Sequence, residues 1–265
     1  MYKRTLFNKS KTFALCYLLF ALSLCACAKH DPILPGNRIP VFETGDVVVE
    51  NKTIPDGLII ITNNEQRTTS NVNYEQDVSN VVWEVSADGV RRKIFSGLAT
   101  VSRVDSTRSP AAAHGFVYAG LSTGEVVKIN PKSRAPVWVA DVYKQSALTG
   151  GASILDIVAP VQIIDNVVYA GGVGDAFCKI KENSGSIIWC VNIGTATPFI
   201  IAGGAAFVVA TNNRLYAIDL KDGGIFWQTE IKKQFAPQIS ETTDGNFIIK
   251  VGKETFSATS GMLVK

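Results

Sequence analysis

The sequence predicts an all-β fold, a β-propeller of four-stranded repeat units, and three observations carry that prediction. A small residue followed by proline recurs at Ser109-Pro110, Ala159-Pro160, Thr197-Pro198 and Ala236-Pro237, with the prolines 50, 38 and 39 residues apart. After the first three of these comes the same succession of apolar run, polar turn, second apolar run and closing tryptophan. The stretches 116–138 and 167–189 align without a gap, matching Tyr118 with Tyr169, Gly120 with Gly171, Lys128 with Lys179 and Trp138 with Trp189, and residues 207–227 repeat the unit with a shorter turn. Self-similarity at such a period marks a repeat architecture, in which each unit buries its faces only against its neighbours.

The N-terminus is a targeting segment, set apart from the fold. Lys3, Arg4, Lys9 and Lys11 precede an apolar stretch from Phe13 to Cys25 that is shorter than the ~20 residues of a membrane-spanning helix. It ends in Leu24-Cys25-Ala26-Cys27, which resembles the lipobox of bacterial lipoproteins and implies cleavage before Cys27 and lipidation of that thiol; Cys25 is the alternative acceptor. The expected organisation is a signal peptide over 1–26, a lipidated tether over 27–45 with three prolines, and a propeller over 46–265. Removing the four basic residues of 1–26 takes the formal charge from +3 to about −1, so no basic field remains to attract nucleic acid.

The repeat units read as strands, since Val, Ile, Phe and Tyr fill the runs and Gly, Asn, Asp and Ser fill the gaps. In the third unit the strands fall near 198–202, 205–211, 214–219 and 225–230, the size of one propeller blade. A degenerate earlier copy is expected, opening at Pro55–Thr62 and closing with Asn80-Val81-Val82-Trp83, and a last copy follows Pro237 without a tryptophan. That makes about five units. An insertion around Tyr143–Ser153 is expected on a surface loop. Trp138, Trp189 and Trp227 recur once per unit, which favours packing between blades over ligand stacking, and Gly120 and Gly171 read as turn residues.

Cys178 and Cys190 lie on the third and fourth strands of one unit. A five-residue loop over 182–186 pairs 181 with 187 and 178 with 190, so the cysteines face one another as a disulfide or as two buried thiols. The aligned positions, Val127/Val139 and Tyr216/Gln228, do without a bridge.

The unit with its proline, (Val/Phe)-Val-Tyr-Ala-Gly run and Gly-x-x-x-Trp closure resembles the pyrroloquinoline-quinone-type (PQQ-like) propeller repeat. Together with the lipobox, two stretches, Leu155-Asp156-Ile157-Val158-Ala159-Pro160 and Ile193–Gly203, resemble the later blades of the BamB family of outer-membrane lipoproteins. The resemblance covers 105–265 well and 27–104 weakly. It implies a propeller, usually eight-bladed, that faces the periplasm from the outer membrane and scaffolds the barrel subunit BamA through its POTRA domains within the barrel assembly complex. With about five units, this chain closes as a smaller ring, forms an open arc or completes a ring with another chain. Asp156 matches an acidic partner-contact position of the family, or is a turn carboxylate, and Arg103 or Arg108 stands where the family has a contact arginine.

The resemblance implies no catalysis and no cofactor. A quinone-dependent dehydrogenase on the same repeat needs calcium held by carboxylate and amide oxygens and a catalytic aspartate. No cluster of acids appears in the repeats for that role, and His30 and His114 are isolated, so no metal is expected. A periplasmic propeller with another protein or glycan client is the alternative function.

Overall fold

Runs of β-branched and aromatic residues separated by short polar turns fold into antiparallel meanders, because each turn returns the chain beside the strand it has just left. The computed structural model describes residues 50–61, 72–101, 103–104, 109–142 and 154–264. Every regular element among them is a β-strand. The first sheet is β1 (Val72–Gln76), β2 (Val81–Ser86) and β3 (Arg91–Ser96). The second is β4 (Ala111–Ala113), β5 (Phe116–Gly120), β6 (Glu125–Asn130) and β7 (Ala135–Asp141). The third is β8 (Gln162–Ile164), β9 (Val167–Gly172), β10 (Ala176–Lys181) and β11 (Ile187–Val191). The fourth is β12 (Ile200–Ala202), β13 (Ala205–Val209), β14 (Arg214–Asp219) and β15 (Ile225–Glu230). The fifth is β16 (Gln238–Glu241), β17 (Phe247–Val251) and β18 (Glu254–Ser257), with a fourth strand begun by the Phe256–Leu263 bridge. This is a β-propeller fold, with five blade-like sheets among the described residues, each strand pairing with its neighbour in sequence.

The core lies between consecutive sheets. Val82 and Ile94 of the first pack on Val117 and Val127 of the second. Tyr118 and Trp138 meet Val168 and Ile180, Phe177 meets Phe199 and Val208, and Phe207 and Trp227 meet Ile249 and Phe256. Because both faces of a middle sheet are buried, β5 and β13 read as continuous apolar runs instead of alternating ones. Among the described residues no core cluster joins the first sheet to the fifth.

The tryptophans tie one sheet to the next. In the second, third and fourth sheets a β-bulge after Lys128, Lys179 and Ala217 leaves Val137, Ile188 and Phe226 unpaired beside the tryptophan. Such a bulge turns the following side chain out of the local pleat. Each ring then lies over a glycine in the last turn of the next sheet: Trp138 over Gly185, Trp189 over Gly223 and Trp227 over Gly261. A Cβ on those glycines would meet the ring at 2.8, 3.0 and 2.5 Å. The indole N–H of Trp138 donates to the Glu182 carbonyl at 2.8 Å and that of Trp227 to the Ala258 carbonyl at 3.1 Å. Burying one such ring removes roughly 150–250 Å² from water, on the order of 4–6 kcal/mol before entropic losses.

Four expectations need correction. Trp83 lies on the middle strand β2, not on a closing strand, because Asp77–Asn80 is the turn between the second and third strand positions of that sheet. Residues 55–61 do not open the first sheet. Instead Leu58 and Ile59 pack at the joint of the fourth and fifth sheets, where the Leu58 carbonyl accepts the Gly204 N–H at 2.9 Å and Ile54 donates to Thr259 at 2.9 Å. Gly120 and Gly171 are strand residues, not turn residues; a Cβ on them would meet Ile157 at 2.4 Å and Thr195 at 2.7 Å, so they are kept side-chain-free by a crossing segment. Finally, Ile187 pairs with Ile180, not with Lys181, and the bulge at Ile188 restores the Cys178–Cys190 register.

Candidate protein-interaction face

Antiparallel meanders put alternate turns at opposite ends of each blade. One end carries the turns that receive the tryptophans, together with residues 50–61. The other carries the turns between the second and third strand positions and the linkers that run from one sheet to the next.

Three of those linkers align on their prolines: Leu155–Pro160, Ile193–Pro198 and Lys232–Pro237. In each, the third residue anchors the linker to the sheet before it. The Ile157 N–H donates to the Leu121 carbonyl at 3.1 Å, the Thr195 N–H to the Gly172 carbonyl at 2.9 Å, and the Gln234 side chain to the Thr211 carbonyl at 2.9 Å. The Asp156 carbonyl accepts from Val173 at 2.9 Å, which stitches the second linker position of that joint to the third sheet as well.

Asp156, expected as a partner contact, is fully buried. Its carboxylate accepts the backbone N–H of Val104, so it fixes residues 103–104 over the joint between the second and third sheets. Arg103 is half-buried there and donates to the Thr100 carbonyl at 3.0 Å. The structure thus brings Asp156 and Arg103 to one place. Arg108, Cys27 and the insertion at 143–153 lie outside the described residues. Cys178 faces Cys190 across the β10–β11 ladder with Cα atoms 4.1 Å apart, and their sulfurs are joined as a disulfide.

The sequence did not foretell a buried ionic cluster between the second and third sheets. Lys128 Nζ lies 2.5 Å from Glu182 Oε1 and 4.1 Å from the centre of the Phe116 ring, and the Tyr118 hydroxyl donates to the same carboxylate oxygen. Burial pushes the Glu182 carboxyl up, but the hydrogen bonds from Lys128 and Tyr118 outweigh it and hold the group below the usual range. Burial, then the Glu182 carboxylate, pushes the Tyr118 phenol far up. Burial and the nearby Asp165 push Tyr169 up to about 12. The two phenols rest neutral, and Glu182 rests as an ion pair with Lys128. The repeated lysines at 128 and 179 were a visible signal, but their partners come from the neighbouring blade: Lys179 donates to the Leu220 carbonyl at 2.6 Å. Among the described residues no three His, Cys, Asp or Glu side chains gather as a metal site.

Relatives place the chain. A solved BamB from Moraxella catarrhalis superposes with a TM-score of 0.59 at 13% identity, covering 74% of this chain and 60% of that one. A quinohemoprotein alcohol dehydrogenase from Pseudomonas putida HK5 gives 0.54 at 12% identity, covering 74% of this chain and 40% of that one. At such identities the likeness is one of fold. The outer membrane protein assembly factor BamB of Moranella endobia is 24% identical over 53% of this chain and 36% of its own length. That of Yersinia pestis is 27% identical over 44% and 30%. The matched region is thus about a third of the length of these curated relatives. The family model described as outer membrane protein assembly factor BamB matches residues 36–229, well over half of the sequence, and the chain belongs to that family.

Proposed function

We propose that this protein is a non-enzymatic scaffold of the outer-membrane β-barrel assembly complex. A lipid on Cys27 holds it to the periplasmic face of the outer membrane, and the propeller steadies BamA through its POTRA domains. The family match over residues 36–229 carries the reading, and relatives named as outer membrane protein assembly factors support it. The proposed contact is the linker end of the blades around Arg103, and Arg108 and the 143–153 insertion are proposed as further contacts from the sequence. There the buried Asp156 carboxylate acts by holding the Val104 backbone in place. A rigid display of backbone and side chains suits a scaffold, because binding then loses little conformational freedom.

The test is in-cell crosslinking from photoreactive residues placed at Arg103 and Arg108, followed by purification of the mature protein from outer membranes. Crosslinks to the POTRA domains are the expected result. An abundant complex without BamA would assign the propeller to a different protein or glycan client.

A further inference from the structure

The linker between the fourth and fifth sheets differs from its two counterparts in a way that points to a ligand. At the position where the linker after the second sheet buries Val158, this one has Phe235, 49% exposed. Where the other linkers bury Asp156 and Gly194, this one presents an exposed Lys233, beside an exposed Lys232. Residues 103–104 cover the Asp156 linker through the Val104 N–H. Over the Lys232–Pro237 linker a cleft of about 400 Å³ stands open instead, between Lys232, Lys233 and Phe235 on one side and Gly252, Lys253 and Glu254 on the other.

The cleft is built, not merely left over. Gly252 has φ +61°, and a Cβ there would meet the Phe235 ring at 2.6 Å, so the glycine lets the ring approach the turn closely and form the aromatic wall of the cleft. Glu254, the carboxylate on the rim among the described residues, accepts the Lys232 backbone N–H at 2.9 Å. Among the described residues none of Lys232, Lys233 and Lys253 forms an ion pair. Three ammonium groups against one carboxylate around an aromatic ring, on a mature chain whose net charge is about −1, make a local positive field that the whole molecule does not have.

We propose that this cleft is a docking site for an extended acidic peptide segment of a partner protein, one that sets an apolar side chain against Phe235 and carboxylates against Lys232, Lys233 and Lys253. The inference does not depend on which protein the Asp156 end of the same face engages. A ring in a preformed pocket with charges at its rim is the pattern of an interface hot spot, and the charges contribute chiefly encounter rate and salt dependence.

The test uses the whole mature chain and a fluorescein-labelled peptide, Gly-Glu-Phe-Glu-Leu-Glu-Gly, followed by fluorescence anisotropy. Saturable binding is expected, weakening as salt is raised, with a loss of about tenfold or more for Lys233→Glu/Lys253→Glu and again for Phe235→Ala. Lys132→Glu/Lys181→Glu changes the net charge equally at exposed sites on the other end of the blades and is expected to leave binding within about twofold. If Lys233→Glu/Lys253→Glu fails to fold, Lys233→Gln/Lys253→Gln replaces it with the same expected direction. Equal losses in both double variants, or equal binding of the peptide with Gln in place of Glu, would overturn the proposal. So would binding to phosphatidylglycerol vesicles without binding to the peptide, which would assign the cleft to a lipid surface.

Discussion

Replacing Gly185 by alanine tests the ring-on-glycine joint directly. Gly185 has φ +72°, a left-handed conformation that costs an L-residue about 1–2 kcal/mol. Its added Cβ would also stand 2.8 Å from the Trp138 ring, which is 91% buried and hydrogen-bonded through its N–H, and so cannot swing away. Overpacking of this kind costs about 1–3 kcal/mol more. Gly89 supplies the control: its φ is +83°, yet nothing lies within 4 Å of a Cβ placed there. Gly89→Ala is therefore expected to lose only the conformational part, about 1–2 kcal/mol, and Gly185→Ala about 2–5 kcal/mol.

Urea unfolding followed by far-ultraviolet circular dichroism reads the difference as a shift in midpoint at constant slope. The decisive step is a cycle with Trp138→Ala, which by itself costs about 3–5 kcal/mol as a large cavity. In that background the Gly185→Ala penalty should fall to the Gly89 value, a coupling of about 1–3 kcal/mol between residues in different sheets. If Gly185→Ala costs the same with and without the tryptophan, the glycine is serving its own turn, and the account of how the blades are joined is wrong.

Other outcomes follow from the same structure. Cys178→Val/Cys190→Val copies the Val127–Val139 pair of the second sheet; denaturation without reductant should show a loss of about 1–3 kcal/mol, and thiol labelling of denatured, unreduced wild type should find neither cysteine free. Glu182 titrates below its ordinary range, so its contribution is full above about pH 4.3 and is lost as the pH falls through the lower folded value; Glu182→Gln should flatten that limb of an acid titration. Lys128→Met, which strands the buried carboxylate, should cost about 3–5 kcal/mol by chemical denaturation at pH 7. Asp156→Ala should lower stability by about 1–3 kcal/mol, and limited proteolysis should show earlier cutting near Val104. Cys27→Ser should move the protein from outer-membrane to soluble fractions with an unchanged circular dichroism spectrum, and retention in the membrane would refute the proposed lipid anchor.

The sequence made the repeats legible because their local signals agree. The third unit's strands, expected at 198–202, 205–211, 214–219 and 225–230, form over 200–202, 205–209, 214–219 and 225–230. There the turns carry glycine or asparagine and the runs are uninterrupted. What stayed hidden is what depends on a neighbour. Residues 58–61, Leu-Ile-Ile-Ile, have the composition of a strand, yet they pack against the Gly203-Gly204 turn of a sheet far along the chain. Asp156 reads as a surface carboxylate until the Val104 N–H covers it. Glu182 stands in a polar turn of its own unit and becomes buried only because Lys128, Tyr118 and Trp138 of the previous unit close over it. The register error beside Cys190 has the same origin, since a bulge is selected by where the tryptophan must point, not by its own strand.

The clearest case of a neighbour dictating sequence is the turn before the closing strand. In the third, fourth and fifth sheets its left-handed position is Gly185, Gly223 and Gly261, but in the second sheet it is Arg134, at φ 56°. The conformation alone therefore does not demand glycine; a long side chain adopts it in the same turn. The difference lies in the sheet before. The first sheet closes with Arg91-Arg92-Lys93-Ile94-Phe95, so it has Lys93 beside its bulge where the other sheets have a tryptophan, and it brings no indole ring to this turn. Besides its apolar core, that joint has its polar tie at the other end of the blades, where the Asn80 side chain donates to Ser122 at 2.7 Å and to the Leu98 carbonyl at 2.6 Å and accepts the Ser122 N–H at 3.0 Å. Beside the apolar packing common to all of them, three joints thus carry a ring on a glycine and one a buried amide, which is why the first copy in the sequence looks degenerate although its sheet is built. Glycine at this turn reports the blade before it, and in this fold a residue's identity is read correctly only across the joint it serves.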